Sequence, residues 1–243
     1  MRYWGKNIEI DGSFYSTPLG KNMLLNPTEM AYMKASGNPF MNEGNVEIFE
    51  TKVQDIMRDI EANPVGKILI EAINQTSSNV RIIPLTLKEQ NLGKNFCANP
   101  IGNNVKGYEC VIWYEPWSRT PNVDAGSGIS PHQILVHELQ HALRQMRNRP
   151  YYPGPLGSPA FPNGEELFSV TIENIYLSAG GQPQRMLGAY NQGVPLGGRT
   201  DVNFYNEYRK ELEVWCGGFP DMTAKLETMH GIWNPIRVRK TGK

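Results

Sequence analysis

The chain has 243 residues with 24 basic and 24 acidic side chains, and therefore carries no formal net charge at pH 7. A balanced charge gives no electrostatic footprint for nucleic acid, so the sequence predicts no nucleic-acid partner. No apolar run reaches the roughly 18 residues that a membrane span needs, which predicts a chain without a transmembrane helix. The length suits one domain with a substantial core, with or without an N-terminal extension.

The first residues and the cysteines bear on the cellular compartment. Residues 1–7 lack the apolar core of a Sec signal peptide, so we expect a chain that stays in the cytoplasm or leaves through a dedicated secretion machine. Cys97, Cys110 and Cys216 are odd in number and widely spaced. This spacing argues against a disulfide framework and against a cysteine zinc site, and predicts small buried side chains.

The N-terminal half predicts mixed α and β structure. Apolar residues at helical spacing indicate helices, and runs of β-branched residues indicate strands. In chain order the predicted elements are an irregular segment 1–45 with one short strand at Ile8–Ile10, a helix over 45–62 ended by Asn63-Pro64, a short helix through Ile68 to Ile73, a strand over 80–87, a loop over 90–107 and a strand over 110–114.

The most informative stretch is His137-Glu138-Leu139-Gln140-His141. On a helix, positions i and i+4 lie on one face, so the imidazoles of His137 and His141 can bind one Zn²⁺ at roughly 2.0–2.1 Å each. Glu138 follows the first ligand directly and can act as general base toward a water molecule. The alternative is a surface helix that happens to carry two histidines.

The flanking residues favour a largely buried helix around this motif. Ser130 is typical of an N-cap, Pro131 of the first helical position, and Gln133 of the third position of a capping box. Apolar residues continue at helical spacing as far as Met146, and Pro150 ends the segment. The metal motif is therefore predicted in the interior of one amphipathic helix.

A catalytic zinc site needs a third protein ligand, and a second helix offers one. Residues 164–179 predict this helix, and its first turn carries Glu165 and Glu166. We favour Glu166 as the ligand because Ser169, one turn later, is small and permits close approach of the two helices. Glu173 lies on the same face and could bond a ligand histidine.

Other readings of these residues stay open. With Asn163 as N-cap, the two glutamates could serve only the capping and the dipole of their helix. His132 lies five residues before His137 and points away from the metal face, whereas His230 is distant and more typical of a structural histidine.

Further segments predict the surroundings of the site. Strand residues Val111–Tyr114 could hold an extended substrate by β-addition, or could belong to the sheet core. The proline-rich stretch 148–163 could form a stiff cleft wall or a plain connection. A helix is predicted over Val202–Trp215, with Asp201 or Asn203 as cap and Gly217-Gly218 as its end, and the basic tail Arg237–Lys243 is expected to be solvated.

The segment 164–176, followed by Arg185 and Tyr190, resembles the bacterial effector metallopeptidases of the M91 class. Those proteins are type III and type VI secretion effectors, similar in active-site layout to clostridial neurotoxin light chains. The resemblance extends over residues 60–195. It implies an α+β, zincin-like fold, in which a small sheet packs on the HExxH helix and on a second, Glu-bearing helix. The domain would span 46–243, after the irregular segment 1–45.

The same resemblance implies roles for individual residues. In that class the second glutamate of the Glu-Glu pair binds zinc and the first supports it, which implies Glu166 as ligand and Glu165 as support. The class also has an arginine and a tyrosine near the scissile carbonyl. The matching candidates here are Arg185 or Arg199 and Tyr190 or Tyr205, and Tyr190 is our choice for the catalytic tyrosine.

The sequence therefore predicts a zinc-dependent endopeptidase that cleaves a protein of a host or rival cell, as a secreted bacterial effector or toxin. Zn²⁺ is the expected cofactor, with ligands His137, His141 and Glu166, and Glu138 is the expected base. We expect a monomer that leaves the cell through a specialised system and acts in the target cell. The alternatives are a non-catalytic zinc-binding module or inactive relative that acts by binding protein, and a metal-independent interaction protein.

Overall fold

A five-stranded sheet and eight α-helices make up the part of the chain that the structure, a computed structural model, describes. The described residues are 1–12, 46–84, 98–100, 108–114, 116–117, 130–147, 156, 160–190 and 194–241. The prediction of a mixed α+β architecture with a small sheet is confirmed in this outline. Within these ranges, no helix has the length and apolar character that crossing a membrane requires.

The sheet has the strand order β1-β2-β3-β5-β4. Its strands are β1 (Arg2–Trp4), β2 (Ile8–Ile10), β3 (Asn79–Pro84), β4 (Ala98–Pro100) and β5 (Tyr108–Tyr114). The three inner strands run parallel, and each edge strand pairs antiparallel with its neighbour. Parallel strands are normally buried on both faces, and the β-branched residues of the inner strands are accordingly buried in the core.

Strand β2 confirms the short strand predicted near the N-terminus. Ile8 and Ile10 are fully buried in the same core as the helices that follow. Strand β1 was not predicted, since three residues with no alternation give little signal. Residues 13–45 lie outside the described residues, so the boundary at residue 45 stays a prediction.

Strand β5 is internal, which favours the sheet-core alternative for Val111–Tyr114 over the peptide-binding edge. Val111 pairs with Asn99 and Ile112 with Ala98 of β4, so these two residues are not available as a peptide-binding edge. Strand β4 is the edge strand on this side of the sheet. The sequence did not reveal it because Ala-Asn-Pro contains no β-branched or aromatic residue.

Two helices precede β3 and form a corner. They are α1 (Val46–Ala62) and α2 (Pro64–Asn74), and Asn63 joins them. The Asn63 side chain accepts a hydrogen bond from the Val65 amide at 2.9 Å, which caps α2, and donates to the Tyr176 carbonyl at 2.9 Å. The Asn63 side chain thus caps α2 and also links the α1–α2 junction to the helix that contains Tyr176.

The two central helices are α3 (Pro131–Met146) and α4 (Gly164–Ala179). Helix α3 packs against β5, β4 and α4. The Tyr114 hydroxyl, at the end of β5, donates to the Pro131 carbonyl at 2.7 Å and so fixes the start of α3 relative to the sheet. Helix α4 is buried over most of its length.

The C-terminal quarter contains α5 (Asp201–Glu207), α6 (Arg209–Gly218), α7 (Pro220–Glu227) and α8 (Pro235–Thr241). The prediction of one helix over 202–215 is therefore wrong, because the helix is interrupted at Tyr208, between α5 and α6. The predicted cap is also wrong, since the Thr200 hydroxyl accepts the bond from the Asn203 amide at 3.2 Å.

The tail is not merely solvated, because it contains α8. Ile236 and Val238 are buried, and Arg239 donates to Glu213 at 2.7 Å and to Glu227 at 3.0 Å. The sequence did not reveal this helix because it is only seven residues long and its few apolar residues lie among basic ones. Its packing against α5, α6 and α7 closes the C-terminal part of the core.

The close contact between α1 and α2 depends on Gly66. A Cβ atom there would lie 2.0 Å from the Ile60 carbonyl oxygen. We expect Gly66→Ala to lower the free energy of unfolding by about 1–3 kcal/mol, as overpacking typically does. Urea unfolding measures this, with Gly198→Ala as control, because a Cβ at Gly198 meets no atom within 4 Å. Equal stability of the two variants would contradict the expectation.

Candidate metal centre

The histidine motif lies in the middle of α3. The Ser130 hydroxyl accepts from the Gln133 amide at 3.3 Å, which is the predicted N-cap. His137 and Glu138 are buried, and His141 is partly exposed, one turn further along the same face. The motif is therefore held on a capped and packed helix rather than on a surface one.

Glu166 reaches this motif from the first turn of α4. The Asn163 side chain caps that helix by accepting from the Glu166 amide at 3.0 Å. The Glu166 carboxylate turns instead toward the two histidines. The cap thus uses the backbone amide of Glu166, and the approach to the histidines uses its carboxylate. A role of Glu166 in helix capping is therefore compatible with a role as metal ligand.

Three potential ligand atoms converge in this group. His137 Nε2 lies 3.0 Å from His141 Nε2 and 3.1 Å from Glu166 Oε2, and His141 Nε2 lies 3.4 Å from the same carboxylate oxygen. Ligand atoms placed tetrahedrally around zinc, at about 2.0–2.2 Å from it, would be separated by about 3.3–3.6 Å. The group could therefore hold a metal ion, and its nitrogen and oxygen donors fit zinc.

The other nitrogen of His137 is also engaged. Glu173 Oε2 lies 3.4 Å from His137 Nδ1, and Gln133 Nε2 donates to Glu173 Oε1 at 3.0 Å. A carboxylate at Nδ1 fixes the ring orientation and keeps Nε2 available for a metal. The role suggested for Glu173 from its helical position agrees with this contact.

His141 has its own set of partners. Glu165 Oε2 lies 3.5 Å and Ser169 Oγ 3.2 Å from His141 Nδ1. Arg144 Nε in turn donates to Glu165 Oε2 at 2.5 Å. Glu165 thus contacts the outer nitrogen of a histidine, whereas Glu166 contacts the inner nitrogens of both.

The carboxylates dominate the electrostatics of the group. Burial lowers the pKa of both histidines, but hydrogen bonds that they donate to carboxylates outweigh it. Bonds to Glu166 and Glu173 raise the pKa of His137 to about 10, and bonds to Glu165 and Glu166 raise that of His141 to about 9. Burial raises the pKa of Glu166, but its two histidine partners outweigh this and hold it well below the usual range. The site thus stabilises positive charge between its carboxylates.

Tyr190 lies near the histidines. Its ring centroid is 6.1 Å from that of His137, and its amide donates to the Ala160 carbonyl at 2.8 Å. The rival candidate Tyr205 lies on α5, and its hydroxyl donates to Glu213 at 2.5 Å. Of the two tyrosines, the geometry favours Tyr190.

The other candidate residues are engaged elsewhere. Arg199 forms an ion pair with Glu207. Arg185 is exposed and lines a polar cavity together with His132, and His132 contacts Asp59 at 3.1 Å. His230 contacts Arg237, also at 3.1 Å. The structure therefore brings none of Arg185, Arg199, His132 or His230 into the described contacts of the metal group.

Comparison with known proteins agrees with these findings. Residues 38–151 match the family model Peptidase_M91, described as an effector protein. The match includes α3 with its histidines, covers somewhat less than half of the chain, and ends before α4. No curated protein and no solved structure matches the chain. The match confirms the resemblance to M91-class effectors and supports a protease.

Proposed function

Because this chain shares the effector-peptidase sequence pattern of the M91 class over residues 38–151, we propose that it is a zinc-dependent endopeptidase. His137, His141 and Glu166 would hold the zinc. The observation that carries the proposal is that the potential ligand atoms of these three residues lie 3.0–3.4 Å from one another. Glu138, the expected base, directly follows His137 in the sequence.

Each residue of the site has a distinct part in this mechanism. Zinc, when bound, supplies a Lewis acid that acidifies water and polarises a peptide carbonyl. The Glu138 carboxylate takes a proton from the attacking water and passes it to the leaving amine. Glu173 and Glu165 hold the outer nitrogens of the two histidines, so that both rings keep their orientation through the reaction.

The expected fold around this chemistry is zincin-like. Helix α3 lies against β5 and the edge strand β4, and α4 supplies the carboxylate, which is consistent with such an arrangement. We assign residues 46–243 to this one domain, and strands β1 and β2 of the N-terminal segment 1–45 complete its sheet. The domain is expected to act as a monomer.

The biological role follows from the same family. A match to effector proteins supports secretion and action in a target cell. We infer that the chain is a bacterial effector or toxin, exported by a specialised system, which cleaves a protein of a host or rival cell. Its partner is therefore a protein substrate.

A non-catalytic zinc-binding module is the alternative. Such a site would be closed by a fourth protein ligand, whereas the group found among the described residues has three members. A buried glutamate adjacent to the first ligand has no use in a purely structural site. Both observations support the catalytic proposal over the alternative.

Metal content is the first test. We expect about one zinc per chain by elemental mass spectrometry of the purified protein, and loss of that zinc in His137→Ala. His132→Ala is the matched control, because that histidine lies on the same helix and contacts Asp59 instead. Absence of zinc after reconstitution, or its retention in His137→Ala, would refute the metal assignment.

Tyr190 gives a second test. We expect Tyr190→Phe to lower kcat by about 10²–10³-fold, since a donor to the oxyanion typically contributes that much, and to leave the zinc content unchanged. Tyr205→Phe serves as control, because its hydroxyl bonds to Glu213. The measurement is steady-state cleavage of a peptide substrate, and the same loss in both variants would exclude a specific role for Tyr190.

A further inference from the structure

The carboxylate at the outer nitrogen of His137 is fixed by a second residue of α3. Glu173 Oε2 lies 3.4 Å from His137 Nδ1, and Gln133 Nε2 donates to Glu173 Oε1 at 3.0 Å. Gln133 and Glu173 are both fully buried. A hydrogen bond that is shielded from solvent is electrostatically strong, so a neutral amide can hold the carboxylate on this side.

The carboxylate at the outer nitrogen of His141 is also bound by a residue of α3, but this residue is a cation. Glu165 Oε2 lies 3.5 Å from His141 Nδ1 and accepts from Arg144 Nε at 2.5 Å. Arg144 follows His141 by three residues, so both side chains lie on one face of α3. The same carboxylate oxygen thus contacts the guanidinium group and the histidine. A displacement of Arg144 would therefore move the atom that faces His141.

The His141 side of the metal group borders a cavity of about 240 Å³. Arg144 and Glu165 line this cavity, and the exposed Val214 is also a lining residue, so the cavity reaches the molecular surface. A hydrogen bond at such a border competes with water. A charge-assisted bond is roughly twice as strong as a neutral one, which suits arginine rather than an amide to this position.

Ser169 offers His141 a second partner, and this partner does not select a nitrogen. Its Oγ lies 3.2 Å from His141 Nδ1 and 3.3 Å from Nε2. A hydroxyl can both donate and accept, so it permits either tautomer of the ring. An ionised carboxylate only accepts, so Glu165 directs the proton of His141 to Nδ1 and leaves Nε2 available for a metal.

We propose that Arg144 is a positioning residue of the metal site, which holds the Glu165 carboxylate against Nδ1 of His141 and thereby keeps Nε2 available for zinc. The proposal rests on the proposed zinc site. The alternative is a plain ion pair between α3 and α4, which would stabilise the fold without any specific effect on His141.

The zinc affinity of Arg144→Met tests this role. Methionine keeps an unbranched apolar stem, so packing is retained, but it cannot donate to Glu165. We expect the affinity, measured by competition with a chromophoric chelator, to fall by about 10–100-fold, as for other residues that support a metal ligand. Arg144→Lys keeps a cationic donor and should recover most of this loss. Native affinity in Arg144→Met, or no recovery in Arg144→Lys, would overturn the proposal.

Arg147 provides the matched control. It lies at the end of the same helix, and its guanidinium group packs over the ring of Phe219, 5.7 Å from the centroid. Arg147→Met removes the same charge and should keep the native zinc affinity. An equal loss in Arg147→Met and Arg144→Met would reduce the effect to one of net charge and overturn the proposal.

A double variant tests whether Arg144 acts through Glu165. Effects of two residues that act through one contact are not additive. Arg144→Met combined with Glu165→Ala should therefore lose no more zinc affinity than Glu165→Ala alone. Fully additive losses would show that Arg144 acts by another route and would overturn the proposal.

NMR of the zinc-loaded protein gives a readout that a plain ion pair would not move. Proton–nitrogen correlation spectra of the imidazole rings report the Nδ1–H group of each histidine. Arg144→Met should shift this signal in His141 and leave it unchanged in His137, whose carboxylate partner is held by Gln133. No change at His141, or an equal change at both histidines, would overturn the proposal.

The same measurements separate this inference from the proposed function. Zinc binding that does not depend on Arg144 would overturn the inference and leave the peptidase intact. Zinc binding that depends on Arg144, without any cleavage by the zinc-loaded protein, would refute the peptidase while the role of Arg144 stands. Absence of zinc from the unaltered protein would overturn both.

Discussion

The Glu138→Gln variant is expected to lose cleavage by about 10²–10⁴-fold and to keep its zinc, because glutamine preserves the shape of the side chain but cannot accept a proton. The variant should keep its zinc because the metal group consists of His137, His141 and Glu166 and does not include Glu138. Steady-state cleavage and elemental mass spectrometry of the same preparation measure the two effects.

A surface variant controls for nonspecific loss. Glu61 is exposed on α1, and Glu61→Gln should retain both zinc and activity. Full activity of Glu138→Gln would remove this residue from the mechanism. Loss of its zinc would show instead that the carboxylate contributes to metal binding.

Replacement of Glu166 by alanine should have the largest effect on zinc affinity among the glutamates of the site. Its carboxylate lies near the inner nitrogens of both histidines, at 3.1 and 3.4 Å, and would be lost as a ligand. Residues that only support a ligand typically contribute 10–100-fold to affinity, so we expect Glu165→Ala within that range and Glu166→Ala beyond it. Competition with a chromophoric chelator measures both affinities.

The neighbouring glutamate is a stringent control for this experiment. Glu165 precedes Glu166 in the same first turn of α4, so both variants change the charge of the helix start equally. Circular dichroism should show unchanged helix content, since the Asn163 cap on the Glu166 amide is independent of the side chain at that position. A greater loss of zinc in Glu165→Ala would mean that the ligand assignment is wrong by one residue.

The helices of the site could be predicted from sequence because their signals are local. Ser130 and Asn163 act as caps, as their positions indicate, and apolar spacing defines the buried face of each helix. The spacing of His137 and His141 likewise fixes their common face. These features depend on neighbours within one or two turns.

The unpredicted features depend on contacts between distant parts of the chain. Arg144, near the end of α3, bonds Glu165 of a different helix. Strand β4 exists through its pairing with β5, and α8 through its packing on other helices. The cavity lined by Gln140 and Trp215 likewise exists only where residues of α3, α4 and α6 come together. No local pattern encodes such contacts.

The placement of the proposed ligands on two helices has a mechanical consequence. A metal held by His141 of α3 and Glu166 of α4 would act as a cross-link that closes the connecting segment into a loop. Closing a loop reduces the entropy of the unfolded chain, and the five prolines between Asn148 and Asn163 already restrict that segment. Zinc would then stabilise the fold as well as take part in catalysis. A chelator would therefore remove both the activity and the cross-link between α3 and α4.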